Sequence, residues 1–238
     1  MGRQTPQRTG SRVWALAQGQ HGLVTRVQLV QLGFSRQAIE HRIAKRRLHP
    51  VRRGVYALGR PQLSRYGRWM AAIMSCGPRA VLSHASAAAL WEIGNECTGE
   101  IEVSVPAGVD RRRPGIRVHR RTSLEARDVA LHHAIPVTSP VLTLVDLATR
   151  LGPEQLEAAI NAADKRDLVD PEGLRSALEE IPRRPGVARL GTTLDRRTFT
   201  LTELPARASV PADRSSCRPS APADGAAGKG LPGRLLLA

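Results

Sequence analysis

The sequence predicts an α+β protein in three parts: an N-terminal winged helix-turn-helix, a mixed domain of helices on a small sheet, and a disordered tail. Three observations carry this. Residues 25–59 set two short helical patterns before two extended runs, with turn residues between them. Residues 61–200 mix helical spacing with strict alternation, and after Leu204 periodicity stops. The expected divisions are 1–10, disordered; 11–60, the head; 61–200, the middle domain; and 201–238, the tail.

In chain order, Met1 to Gly10 is rich in Gln, Thr, Arg and Gly and cannot bury enough to order itself. Ser11 can cap a first helix whose apolar side is Val13, Trp14, Leu16 and Ala17, with Trp14 read as core rather than as a base-stacking platform. Thr25 and Gln28 form a capping-box pair, and Val27, Leu29, Val30 and Leu32 carry a short helix that stops at Gly33. Ser35 caps a second helix in which Ile39 and Ile43 face the core while Gln37, His41 and Lys45 face away. Leu48 to Val51 and Val55 to Leu58 are extended, and the Arg52-Arg53-Gly54 tip between them uses Gly54 for a positive φ. Tyr56 on this wing is ambiguous between core and surface. In a helix-turn-helix the second helix enters the major groove, so Ser35, Arg36, Gln37, His41, Arg42, Lys45 and Arg46, with Arg52 and Arg53 on the wing, are the candidate DNA-binding residues.

Charge points the same way. Residues 1–65 hold thirteen Arg or Lys against one acid, Glu40, so about +12 of the chain's formal +15 lies in its first quarter. An Arg-rich helix alone reads as a solvated face; its coincidence with a helix-turn-helix and a wing makes duplex DNA the expected partner. At 41% hydrophobic and 3% aromatic, the chain can build a core, but one of Leu, Val, Ile and Ala. No apolar run approaches the ~20 residues of a membrane helix, and the N-terminus lacks a hydrophobic leader, so a soluble cytoplasmic protein with no membrane association is expected. Cys76, Cys97 and Cys217 are too few and too far apart for a disulfide framework or a zinc site, and Cys76 is expected to be buried.

From Pro61 the arginines thin out, and Gly59-Arg60-Pro61 reads as a linker or domain edge. Tyr66, Trp69, Met70, Ile73 and Met74 keep helical spacing, and residues 81–93 read as a second apolar helix capped at Ser83 or Ser86. Ile101, Val103 and Val105, then Ile116 and Val118, mark two strands around a loop that holds Asp110, Arg111, Arg112, Arg113, Pro114 and Gly115. Residues 135–150 read as a strand end passing into a helix, capped by Ser139, opened by Pro140, and buried along Val141, Leu144, Val145 and Ala148. Pro153 opens a helix with Leu156, Ala159, Ile160 and Ala163 inward, and Asp170-Pro171 opens another with Leu174, Leu178 and Ile181 inward.

No convincing catalytic constellation stands out in this domain. The adjacent His132 and His133 diverge on any regular element, and neither they nor His84 and His119 have a carboxylate or Cys at ligand spacing. Ser83-His84 reads as a capping serine beside a surface or core histidine, because neighbouring side chains diverge on a helix. Asp146, on an apolar helix, is accounted for by a hydrogen bond at a seam as well as by function. There is no Gly-rich phosphate loop, and no cofactor is expected.

The run GLVTRVQLVQLGFSRQAIEHRIAKRRLHPVRRGVYALG resembles the N-terminal winged helix of the AbiEi family of abortive-infection type IV antitoxins. LSHASAAALWEI, IEVSVP, IRVHR and IPVTSPVLTLVDLA are similar to the middle region of actinobacterial proteins that carry this winged helix. In those proteins a domain resembling very-short-patch-repair endonucleases follows. The resemblance implies a DNA-binding regulator of the family's own operon and a cognate nucleotidyltransferase toxin as a protein partner. Residue by residue, it carries over only to Ser35 through Lys45 and to Arg52-Arg53-Gly54.

The tail departs from that pattern. Residues 205–238 are dominated by Pro, Ala, Gly, Ser and Arg, contain no aromatic residue, and hold Asp213 and Asp224 without a strand pattern to gather them round a metal. In suitably chosen synonymous codons, a reading from the second base turns residues 205–219 and 231–238 into sequence like the nuclease-like region, including Phe-Arg-Val-Asp-Phe-Tyr-Trp. An out-of-frame tail in place of a lost nuclease-like domain is therefore expected, with a genuine disordered basic tail as the alternative. The expected function is a non-enzymatic DNA-binding regulator; the other reading is a decayed or truncated DNA nuclease.

Overall fold

The computed structural model describes residues 6–95, 99–108, 113–181 and 184–195, with side chains from Gly10 onward. The chain divides into a compact unit, Met1–Thr200, to which all of these residues belong, and a second unit, Leu201–Ala238. The expectations for the tail and for residues 1–5, together with Cys97 and Asp110-Arg111-Arg112, lie outside the described residues.

Helix α1 (Pro6–Gln18) begins earlier than expected, because Pro6 suits a first helical turn; Ser11 lies inside the helix and does not open it. Val13 and Ala17 enter the core. Trp14 does not: it is 55% exposed, its ring edge lying beside the backbone of Gly59. Strand β1 (Leu23–Thr25), which the sequence patterns did not reveal, leads into α2 (Arg26–Gln31) through the expected capping box of Thr25 and Gln28. A six-residue helix turns only one face to the core, so Leu29 is buried and Leu32 partly so, while Val27 and Val30 point outward. Gly33, at φ +91°, makes the left-handed stop: its N–H reaches Val30 O and that of Phe34 reaches Leu29 O. After this turn Ser35 caps α3 (Arg36–Ala44) by accepting from the Ala38 N–H at 3.1 Å, and Ile39 is fully buried.

Strands β2 (Leu48–Arg52) and β3 (Val55–Leu58) pair antiparallel across Arg53-Gly54, and β1 adds to β3, giving the order β1-β3-β2. Successive side chains leave this sheet on opposite faces. Val24, Leu48 and Tyr56 join Val13, Leu29, Phe34 and Ile39 in a small core, so Tyr56 is core. Leu23, Val55 and Ala57 point the other way, into the main core with Trp69, Met70 and Ile73 of α4 (Arg65–Cys76). Ser64 caps α4, which is buried nearly all round, Cys76 included.

The second sheet has five strands in the order β6-β5-β4-β8-β7. Residues 81–93 are not one helix: Val81–Leu82 form β4, and α5 runs only over His84–Leu90. Both strand residues are β-branched or aliphatic and fully covered, so their apolar run could not be told from a helix by periodicity. Strands β5 (Ile101–Pro106) and β6 (Ile116–Arg121) run parallel, Ile101 opposite Ile116. Strand β7 (Val129–His132), not foreseen, pairs with β8 (Ile135–Thr138) through His133-Ala134, two non-glycine residues at φ +49° and +58°. Ser139 and Pro140 open α6 (Pro140–Ala148) as expected; it is buried on every side from Leu142 to Ala148, more than the single stripe expected. Helices α7 (Pro153–Asp164) and α8 (Pro171–Glu180) bury the expected Leu156, Ala159, Ile160, Ala163, Leu174 and Leu178. A further helix, α9 (Val187–Asp195), buries Leu190 and Leu194.

Gly186 opens α9 at φ +97°, and a Cβ there would overlap the carbonyl oxygen of Val145 on α6. Gly186→Ala therefore meets both a left-handed backbone and a backbone collision, and is expected to destabilise the unit by at least about 2 kcal/mol. Urea unfolding of the variant against the parent reads this directly, and a loss within measurement error would show that α9 is not docked there.

Candidate functional site

The candidate DNA-binding residues divide by what their side chains already touch. Gln37 and His41, one turn apart on α3, are exposed, as are Lys45 at its C-terminus and Arg46 beyond it. Arg46 takes the left-handed conformation that ends the helix (φ +52°). Arg36 is exposed but bonded to Glu40 one turn on, at 2.8 Å. Arg42 folds back: its guanidinium lies 4.3 Å from the centre of the Phe34 ring and donates to the Ala38 carbonyl. The Ser35 hydroxyl is spent on the cap. α3 thus presents Gln37, His41 and Lys45 on one outward face, while Arg42 and Ser35 hold the helix-turn-helix together.

The two wing arginines part company. Arg53 sits in the turn and is exposed. Arg52 is the last residue of β2, and its guanidinium donates to the Pro114 carbonyl at 2.9 Å, in the connection between β5 and β6. Partial burial there lowers the Arg52 pKa from its ordinary value. The sequence could not show this, because the two residues are 62 positions apart.

A second arrangement, in the middle domain, was missed altogether. Glu102 and Ser104 leave β5 on the same face as His119 and Arg121 leave β6, and α5 and α6 place His84 and Asp146 above them. Glu102 is the hub. It accepts from Arg150, from His119 at 3.3 Å and from the Ala85 N–H at 2.9 Å. Arg121 donates to Ser104 at 2.8 Å and to Asp146. The His84 and His119 rings stack with centres 3.7 Å apart. Ser83 and His84, expected to diverge, are instead joined between Oγ and Nδ1 at 3.1 Å, because His84 takes a left-handed φ of +51°. Asp146 is hydrogen-bonded as expected, but to Arg121 of β6 and beside His84 of α5 inside the middle region, not at a seam between domains. The legible signal was a coincidence of parity: Glu102 and Ser104 fall on alternate positions of one strand, and His119 and Arg121 on alternate positions of the next.

Burial shapes the charge states here. It would raise the Glu102 pKa, but hydrogen bonds from His119, Arg150 and the Ala85 N–H hold it down to about 2. Burial, with His119, Arg121 and Arg150 nearby, pushes His84 down to about 3. Asp146 Oδ2 lies 3.5 Å from His84 Nδ1, and the charge of Glu102 opposes the downward shift of His84 without overcoming it. Asp146 is pushed up by burial, against the opposing pull of Arg121. Among the described residues no group of three His, Cys, Asp or Glu side chains is placed to hold a metal, and no helix is long and apolar enough to cross a membrane.

Residues 11–59 match the family model described as a transcriptional regulator, AbiEi antitoxin, and residues 79–196 match the AbiEi antitoxin C-terminal domain. No curated protein matches. Among solved structures, the RV2827C protein from Mycobacterium tuberculosis is similar at 22% identity and a TM-score of 0.47, over 82% of this chain and 78% of that one.

The pH dependence of stability follows from His84. Its folded pKa lies below the unfolded value of 6.5, so as pH falls from 6.5 the unfolded chain takes up a proton that the folded chain refuses. Stability is therefore full above pH 6.5 and declines on acidification, by at most about 1.4 kcal/mol per pH unit for this one proton. Glu102 adds a loss of the same sign below 4.5, and Asp146, shifted the other way, offsets part of it. His84→Asn, which tolerates the left-handed backbone, should flatten the decline between pH 6.5 and 4.5 in urea titrations. An unchanged slope would show that His84 is protonated in the fold.

Proposed function

Because the chain belongs to the AbiEi antitoxin family, we propose that it is a DNA-binding regulator of the antitoxin type whose α3 docks in the major groove of duplex DNA. The observation that carries the reading is the outward face of α3 and the turn after it. Gln37 and His41 can reach base edges, and Lys45, Arg46, Arg47 and Arg53 are exposed cations free of carboxylate partners among the described residues. Arg52, bound to the Pro114 carbonyl, serves to seat the wing instead of a phosphate. The division of the head from the middle domain near residue 60 is a part of this proposal, since the two matched regions fall on either side of it. A cognate toxin protein is the second partner of the proposal, met through the region that matches the antitoxin C-terminal domain. Nothing specific in the described residues favours a decayed nuclease.

If those four cations each meet one phosphate, log K should fall with log salt at a slope of about −3.6. Fluorescence anisotropy on a labelled duplex of the gene's own upstream region measures it. Gln37→Ala with His41→Ala should cost about 1–3 kcal/mol on a preferred site and little on random duplex, whereas Arg53→Gln should weaken both alike. No salt dependence, or equal effects of the two sets on the two duplexes, would overturn the docking.

A further inference from the structure

We infer that the cavity between the end of β6, α6 and the turn at Arg184 is a binding site for a small phosphate-bearing molecule. The cavity is about 310 Å³, the size of a small-ligand pocket, and His84, Arg120, Arg121, Thr122, Ser123 and Arg184 line much of it. Its chemistry is lopsided. Three guanidinium groups and the hydroxyls of Thr122, Ser123 and Thr149 line it, with one carboxylate, Asp146, which is paired with Arg121. Of the neighbouring carboxylates, Glu102 is held by Arg150 and His119, and Asp128 takes one side of the Arg184 guanidinium.

Arg184 supplies the decisive detail. Its Nη2 donates to Asp128 at 3.1 Å and to Ser123 at 3.4 Å, while its Nη1 is buried with no hydrogen-bond partner among the described residues. A guanidinium has donors only, and a buried N–H without an acceptor is costly unless something arrives to accept from it. A phosphate oxygen is matched to that need, because arginine pairs with phosphate through parallel charge-assisted bonds. The site is independent of DNA docking, since none of its residues lies in the head.

The test is calorimetric titration of the full chain, at fixed ionic strength, with inorganic phosphate, adenosine 5′-monophosphate and adenosine. Saturable binding of both phosphate-bearing probes and none of adenosine is expected. Arg184→Gln should weaken it by about tenfold or more. Arg53→Gln, on the exposed head, should leave it unchanged. Should Arg184→Gln fail to fold, Thr122→Val changes only an exposed side chain and should weaken binding by about threefold while leaving the ligand-free Tm unaltered. The inference is overturned by absence of saturable phosphate binding, by equal binding of adenosine, or by binding that Arg53→Gln removes and the cavity variants leave intact.

Discussion

The three-stranded sheet of the head has no solvent face, and much else in the molecule depends on that. Its strands send Val24, Leu48 and Tyr56 to one side and Leu23, Val55 and Ala57 to the other, and both sides are dry. An antiparallel sheet of this size normally wets one face. Here the second face is closed by α4, so the head's small core is joined to the main core by a shared layer. The polar contacts at the seam agree with this. His21 donates from Nε2 to the His133 carbonyl at 2.8 Å, the Tyr66 ring of α4 lies tilted against both histidines with its centre 5.7 Å from that of His21 and 5.0 Å from that of His133, and Arg52 reaches Pro114. The orientation of α3 is therefore set by the middle domain as well as by the helix-turn-helix.

The middle domain uses arginine in the opposite way from the head. Between residues 66 and 200 there are eighteen Arg or Lys to seventeen acids, and the largely buried guanidinium groups of Arg121 and Arg184 are matched with carboxylates inside the fold. Burying a charge without a partner costs several kcal/mol, so such pairs are geometric requirements rather than sources of stability. The network on the β5–β6 face holds three elements in register: α5 through His84, α6 through Asp146 and Arg150, and the sheet through Glu102 and Arg121. In the head there is a single acid, Glu40, paired with Arg36, so the exposed Lys45, Arg46, Arg47 and Arg53 have no carboxylate beside them among the described residues.

What could be read from the sequence was local. The Thr25–Gln28 capping box, the Ser35 cap, the left-handed Gly33 and Gly54, and Ser139-Pro140 at the start of α6 all act over three or four residues, and all are where the patterns put them. The losses were of two kinds. Short covered strands such as β1 and β4 carry too few residues to show a period, and the β7–β8 turn uses His133-Ala134 where a glycine or asparagine would have announced it. The rest were long-range facts. Trp14 is exposed because Val13 and Ala17, not Trp14, fall on the face of α1 turned to the sheet, and the Arg52 guanidinium is held by the carbonyl of a residue 62 positions away.

The same distinction explains why the polar cluster stayed hidden while the helix-turn-helix did not. A helix-turn-helix is contiguous, so its caps, stops and outward side chains follow one another within 35 residues and can be judged together. The cluster draws His84, Glu102, His119, Arg121, Asp146 and Arg184 from four elements and a turn spread over a hundred positions. Each member, taken alone, has an ordinary explanation: a core histidine, an acid on the polar side of a strand, an arginine on a surface. Only the parallel pairing of β5 with β6 turns their polar positions to one side, and only the covering helices make that side dry. A strand whose polar positions are Glu and Ser, paired with one whose polar positions are His and Arg, is then a complementary pair of strips, and its burial forces the charges to find each other.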